Sequence, residues 1–222
     1  MCFNEIFRQV TLIRILTIEM KETKTEFRNK AKEILEAASE EYRQSASVSI
    51  ALNALALPEM YKAKHVLLYF SVGSEPSTLA LIQKLLEAGK KVYLPRCTDF
   101  DSEGSKISDE HTMEARQINS LDHLMPGAYG IPEPVADDRL CPVVKGRKID
   151  LVLLPCLACG PDCSRLGHGA GYYDRYLSEL KRGCFKAALC YDKLIMDGIP
   201  MDRHDVYMDA VITERTIYRQ ER

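Results

Sequence analysis

Between Arg165 and Arg175 the chain reads Arg-Leu-Gly-His-Gly-Ala-Gly-Tyr-Tyr-Asp-Arg, with glycine at the alternate positions Gly167, Gly169 and Gly171. Without Cβ atoms in the way, the backbone N–H groups of such a turn can converge on an anion. Arg165 and Arg175 flank the turn with permanent positive charge, and Asp174 adds a carboxylate able to hold a divalent cation. Arginine, open backbone and a hard oxygen ligand together point to nucleoside triphosphate chemistry. The spacing is not that of GxxxxGK[ST], and Tyr172 stands where the last glycine of GxGxxG would fall. On the residues alone two readings stand: a phosphate cradle, or a tight turn with an aromatic pair packed beneath it.

A cradle of this kind needs a strand before it and a helix after it. Residues 149–155 form an apolar run that reads as a strand, and residues 172–181 read as a helix. Upstream, residues 24–45 place Phe27, Ala31, Ile34, Leu35, Ala38 and Tyr42 near one helical face. Residues 47–57 read as a second helix that stops before Pro58. Residues 65–70 are a buried strand, and residues 71–76 a loop with Gly73 and Glu75. A helix over 79–88 is capped by Ser77 or Thr78 and stopped by Gly89. Strands are expected at 91–95, 185–191 and 210–213, a polar irregular stretch at 98–111, and turns at 126–134. This alternation predicts an α/β fold with a mostly parallel central sheet and helices on both faces. Ligands then lie beyond the carboxyl ends of the strands, where Glu75, the glycine loop and the segment after Tyr191 can gather.

The length of 222 residues, 46% hydrophobic and 28% charged, suits one core. A formal charge of −2 gives no bulk attraction for nucleic acid or an anionic membrane, so neither is expected as a partner. No apolar run approaches the ~18 residues of a membrane span. Eight irregularly spaced cysteines without a secretory signal fit reduced thiols in the cytoplasm. Residues 1–19 interleave apolar side chains with Arg8 and Arg14, and Met20 reads as a natural start. They are expected to be an upstream extension or a short docked arm, with 20–222 a single α/β catalytic domain.

In order along the chain stand Lys24-x-x-x-Arg28, Glu75, Gly130-Ile131-Pro132-Glu133-Pro134, the loop from Arg165 to Arg175, and His204-Asp205 before Ile212-Thr213-Glu214. This series resembles the 5-formyltetrahydrofolate cyclo-ligase family, also called 5,10-methenyltetrahydrofolate synthetase, over residues 21 to about 217. The resemblance implies a three-layer NagB/RpiA/CoA-transferase-like sheet and an ATP- and magnesium-dependent ring closure. The formyl oxygen of 5-formyltetrahydrofolate attacks the γ-phosphate of ATP, and N10 traps the resulting iminium phosphate. Phosphate then leaves and 5,10-methenyltetrahydrofolate forms.

Residue by residue, the resemblance assigns ATP to Lys24, Arg28, Arg165, Leu166, Gly167, His168, Gly169, Ala170, Gly171, Tyr172 and Tyr173. Arg165 and Tyr173 are the expected catalytic pair. Magnesium falls to Asp174 and Asp205, and the folate to Phe70 and Glu75. A bland counterpart stays open for each. Lys24 and Arg28 can be solvated helix charges, Asp174 can pair with Arg175 or Arg28, and Asp205 can cap a turn. Glu75 can serve loop amides, the two tyrosines can simply pack, and His168 and His204 are peripheral. A monomer or weak homodimer is expected.

The family usually reads Pro-Gly-Leu-Ala-Phe-Asp before the loop, where this chain has Pro155-Cys156-Leu157-Ala158-Cys159-Gly160. Cys163 stands where a turn glycine is common, and Leu194 where a glutamine often falls. Cys156-x-x-Cys159-x-x-x-Cys163, with His168 beyond, has spacing that can bind zinc or an iron–sulfur cluster. The alternative function is therefore a cysteine-ligated metal or redox-modified binding protein on the same scaffold. Its rival, three small residues packed at a strand end, is the favoured reading. A relative that binds nucleotide or folate without turnover is the third possibility.

Overall fold

Helix α1 (Lys24–Ala37) opens on a capping box, with the Thr23 side chain accepting from Glu26 N and Glu26 Oε2 accepting from Thr23 N at 2.6 Å. The cap fixes where the helix starts, and so fixes Lys24 and Arg28 one turn apart. This computed structural model describes residues 22–101 and 105–220; the extension expected at 1–19 lies outside the described residues. The helix expected over 24–45 ends at Ala37, because Ser39 caps α2 (Glu40–Leu55) by accepting from Tyr42 N at 3.1 Å. Glu40 and Glu41 favour that start by meeting the positive end of the new helix. The expected boundary near residue 46 falls mid-helix, and α3 (Pro58–Lys62) follows.

The sheet elements are β1 (His65–Leu68), β2 (Lys91–Cys97), β3 (Met113–Ile118), β4 (Leu124–Pro126), β5 (Pro132–Pro134) and β6 (Val143–Val144). They continue with β7 (Leu151–Leu154), β8 (Ala158–Cys159), β9 (Arg165–Leu166), β10 (Phe185–Leu189), β11 (Ala210–Ile212) and β12 (Ile217–Arg219). Helix α4 (Leu79–Glu87) joins β1 to β2, and α5 (Tyr172–Leu177) precedes β10. The main sheet has eight strands in the order β12-β11-β10-β7-β1-β2-β3-β6. Its central strands β11, β10, β7, β1 and β2 are parallel, with antiparallel pairs at both edges. Val66, Leu67 and Leu68 of β1 and all of β7 are fully buried, as interior parallel strands must be. Truncating one such leucine to alanine costs roughly 2–5 kcal/mol, so this floor is rigid.

The chain moves from β1 to β2 in one direction across the sheet and from β7 to β10 in the other. Right-handed crossovers therefore put α4 and α5 on opposite faces. The α/β expectation holds, and β1 and β7 flank the point where strand order reverses. Thr78 departs from its expected role as a helix cap. Its Oγ1 accepts from Ser71 N at 3.1 Å and donates to the Tyr69 carbonyl at 2.8 Å, pinning the loop after β1. Helix α5 ends at Leu177, short of residue 181, where Ser178 donates its hydroxyl to the Arg175 carbonyl at 2.7 Å. No helix of the described residues is long and apolar enough to cross a membrane.

Candidate active site

The carboxyl ends of β1 and β7 lead into two loops that face each other. After β1, Gly73 takes φ +58° and turns the chain so that Glu75 Oε2 accepts from Val72 N at 3.0 Å. Glu75 Oε1 lies 3.6 Å from His168 Nε2 of the glycine loop, so the two loops meet. Phe70, half-buried at the end of the β1 segment, packs against the core beside them.

The alternate glycines have a physical cause: each lets a guanidinium pass. A methyl group on Gly167 would stand 3.1 Å from Arg165 Nη1, and one on Gly171 3.0 Å from Arg175 Nη1. Gly169, at φ +108°, would meet Arg28 Nη2 at 3.3 Å. Arg28 Nε also donates to the Gly167 carbonyl at 3.0 Å, which ties α1 to the loop. Arg165 is buried and locked from two sides. It donates to the Pro155 carbonyl at 3.1 Å and to Asp174 Oδ1 at 2.8 Å, and it lies 6.0 Å over the Tyr173 ring. Three weakly hydrated cations with planar donor forks thus converge on open backbone, a setting for a polyphosphate.

Lys24 Nζ bonds Asp202 at 2.6 Å and also Asp205. Burial works to lower the Lys24 pKa, but the two carboxylates outweigh it and the net shift is upward. Lys24 therefore stays cationic beside Arg28. Asp205 also accepts from Asp202 N at 2.6 Å. Asp174 is bonded through Oδ1 to Arg165, which is neither of the partners expected for it, and its side chain is 36% exposed. Among the described residues neither aspartate belongs to a group of three or more close metal-ligating side chains. One or two carboxylates suffice for magnesium that is also held by phosphate oxygens and water, so these residues fit such an ion.

Three expected site residues already have partners within the chain. Tyr172 does not cover the loop; its hydroxyl donates to Asp99 Oδ2 at 2.7 Å and its ring meets His111 edge-on at 5.2 Å. Burial first, and Asp99 second, raise the Tyr172 pKa. Leu166 is buried in the core and its carbonyl accepts from Leu157 N at 2.8 Å. Ala170 offers its carbonyl to Arg175 at 3.3 Å. Tyr173 stays under the loop, its phenol raised by burial. Asp99 and His111 carried no sequence signal. They sit 3.7 Å apart in a stretch read as irregular, and Asp99 Oδ1 and His111 Nδ1 have no hydrogen-bond partner.

A small cleft opens between the two loops, lined by Leu35, Glu75, Cys156, His168, Tyr191 and Leu194 among others. It encloses about 20 Å³, room for little more than one water, so a large ligand must part these loops. A larger pocket of about 370 Å³ lies at the opposite, amino-terminal end of the strands beside Phe185 and Asp209, away from the switch point. The metal-ligand set read from cysteine spacing is corrected. Cys163 takes φ +67° in a turn, in keeping with a position where glycine is common, and is not part of the close group. Cys190 takes its place beside Cys156 and Cys159. At Gly160 a methyl group would stand 2.3 Å from Asp162 Oδ1, because Asp162 has turned in to accept from Ser164 N and Oγ.

Fold and site together define an α/β protein with an arginine-lined glycine loop at the switch point of its sheet. The sequence profile of the 5-formyltetrahydrofolate cyclo-ligase family matches residues 20–214, and the chain belongs to that family. A probable 5-formyltetrahydrofolate cyclo-ligase of Schizosaccharomyces pombe is 32% identical over 79% of this chain and 87% of its own length. One from Caenorhabditis elegans is 30% identical over 88% of this chain and 94% of its own. The 5,10-methenyltetrahydrofolate synthetase of Aquifex aeolicus superposes with a TM-score of 0.74 at 30% identity, covering 90% of this chain and 93% of that one.

Proposed function

We propose that this chain closes 5-formyltetrahydrofolate to 5,10-methenyltetrahydrofolate, with ATP converted to ADP and phosphate. The observation that carries the reading is the convergence of Arg28, Arg165 and Arg175 on the glycine loop, directly across from Glu75. Transfer of the γ-phosphoryl group to the formyl oxygen depends on positioning and on fixed charge where negative charge develops. Arg165 is the best placed of the three, because the Pro155 carbonyl and Asp174 hold it before substrate arrives. Loop amides and Lys24 complete the anion cradle, and Tyr173 packs beneath it. Glu75 and Phe70 receive the folate, the carboxylate accepting from donors on the pterin ring. Asp174, through the oxygen not given to Arg165, and Asp205 would hold magnesium, which supplies further charge neutralisation at the phosphates. Free thiols at the seven described cysteines fit a reducing, cytoplasmic setting for the chain as a monomer or weak homodimer.

The test is direct. The methenyl product absorbs in the near ultraviolet and the substrate does not. Purified chain with 5-formyltetrahydrofolate, ATP and magnesium should gain that absorbance and release phosphate in equal amounts. No gain with either ATP or folate omitted is the required control, and none in the complete mixture refutes the proposal.

A further inference from the structure

Behind the cleft, the Sγ atoms of Cys156, Cys159 and Cys190 all lie within 4.8 Å of one another, and all three residues are buried. They come from different parts of the fold: the residues just after β7, the short strand β8, and the residue just after β10. The cluster thus sits where the segments after β7 and β10 run side by side, next to the backbone pairing of those two strands. We infer that Cys156, Cys159 and Cys190 bind a divalent thiophilic cation of the zinc class.

Geometry supports it first. Tetrahedral zinc with Zn–S bonds of about 2.3 Å sets its thiolate sulfurs about 3.8 Å apart, so the three need to draw in by about 1 Å at most. Chemistry is the second support. The donors are all soft sulfur, with no carboxylate in the close group, which selects zinc-like ions over magnesium or calcium. Charge is the third. Three thiolates and a divalent cation sum to −1, and a buried charge needs a partner. The Arg165 guanidinium acts on both Cys156 and Cys159, but it is shared with Asp174 at 2.8 Å and Glu75 also faces Cys156, so a neutral fourth ligand such as water suits the group better than an anion. Without metal, Cys156 Sγ donates to the Leu189 carbonyl at 3.2 Å and Cys190 Sγ to the Tyr191 carbonyl at 3.4 Å, so metal binding releases thiol protons and is favoured as pH rises. Cys156 and Cys190 line the cleft and Cys159 does not, so the ion is reached from the cleft side, and its fourth position is left for water or a cleft ligand.

Untagged full-length chain, stripped with a chelator and dialysed against zinc, should retain one zinc per chain. Cobalt in its place should give intense thiolate-to-cobalt charge-transfer bands that zinc abolishes. Cys156→Ser and Cys190→Ser should each lose those bands, and Cys163→Ser should keep them. Alkylation of the unmutated chain, mapped by mass spectrometry, guards against misfolded variants: zinc should slow modification of Cys156, Cys159 and Cys190 by at least tenfold, leaving Cys97 unaffected. Unchanged alkylation rates at the three, cobalt bands that survive Cys190→Ser, or no retained zinc would each mean that the trio is only packed sulfur. Cobalt spectra read this site whether or not the chain turns over folate.

Discussion

Replacing Gly169 with alanine asks whether the loop is a cradle or only a turn. At φ +108° an L-residue is strained by on the order of 1–3 kcal/mol. The new methyl also stands 3.3 Å from Arg28 Nη2, so Arg28 must give way and its 3.0 Å bond to the Gly167 carbonyl is strained. Part of this is lost in every state of the protein and lowers Tm. Displacement of Arg28 is felt most when a polyphosphate is bound, since a charge-assisted bond is worth about 1.5–3 kcal/mol. A loss of about 1.4–2.8 kcal/mol corresponds to a rise of about 10- to 100-fold in the KM for ATP. The control is Gly89→Ala. Gly89 takes φ +71° at the end of α4 with nothing within 4 Å of the added carbon, so it carries backbone strain alone. Both variants should lose about 2–12 °C of Tm by the scaling for a chain of this size. Only Gly169→Ala should weaken ATP, measured by initial rates of methenyl formation at saturating folate. Equal Tm losses with ATP affinity intact in both would show that the loop's glycines serve the turn and nothing more.

Asp174→Asn keeps an acceptor for Arg165 but removes the charge, so the magnesium dependence of the rate should shift upward at least tenfold, with a loss of Tm because buried Arg165 gives up its carboxylate partner; an unaltered magnesium curve takes Asp174 out of the ion's shell. Glu75→Gln should raise the folate KM about tenfold through one weakened charge-assisted bond, with the ATP KM constant. A parallel rise in both constants would instead place Glu75 in the frame of the whole site. Glu133 reports on pH. Burial, opposed by Cys97 N at 3.3 Å and by Arg96, raises its folded pKa above 4.5. Between 4.5 and the folded value the native state then holds more protons than the unfolded chain, so this group's contribution to stability falls as pH rises and levels off above the folded pKa. Urea midpoints of Glu133→Gln should therefore gain on wild type as pH climbs through that window, and a constant difference at all pH values contradicts the assignment.

The parallel strands were legible because interior strands of such a sheet read as unbroken apolar runs, as Val66–Leu68 and Leu151–Leu154 do. The antiparallel edges were not. Strand β3 carries Glu114 and a buried Arg116, which becomes tolerable only when Glu114, Asp138 and the Cys141 carbonyl surround the guanidinium. No local pattern announces partners supplied from elsewhere in the chain. The same limit explains the site. Arg165 of β9 and Asp174 of α5 lie nine positions apart within one motif, and both could be named from it. Tyr172 and Asp99 are 73 positions apart, and Cys190 joins Cys156 across 34 residues only because β10 lies beside β7.

Apart from Leu194 on the far side of the cleft, the departures from the family pattern fall in one stretch of chain. Lys24, Arg28 and the whole stretch from Arg165 to Arg175 keep it, and these are the residues gathered around the glycine loop. Cys156, Cys159, Gly160 and Cys163 break it, all within one turn of chain between β7 and β9. Inside that turn the changes are consistent with one another. The absence of a side chain at Gly160 leaves the space into which Asp162 Oδ1 folds, and that carboxylate then holds Ser164 immediately before Arg165. Arg165 is thus steadied by a turn rebuilt from different residues, while Cys156, in place of a glycine, and Cys159, in place of a phenylalanine, collect with Cys190 behind the cleft. Under the proposed function this division leaves the ATP side in the family pattern, so the chain is expected to differ from its relatives in folate handling and not in ATP use.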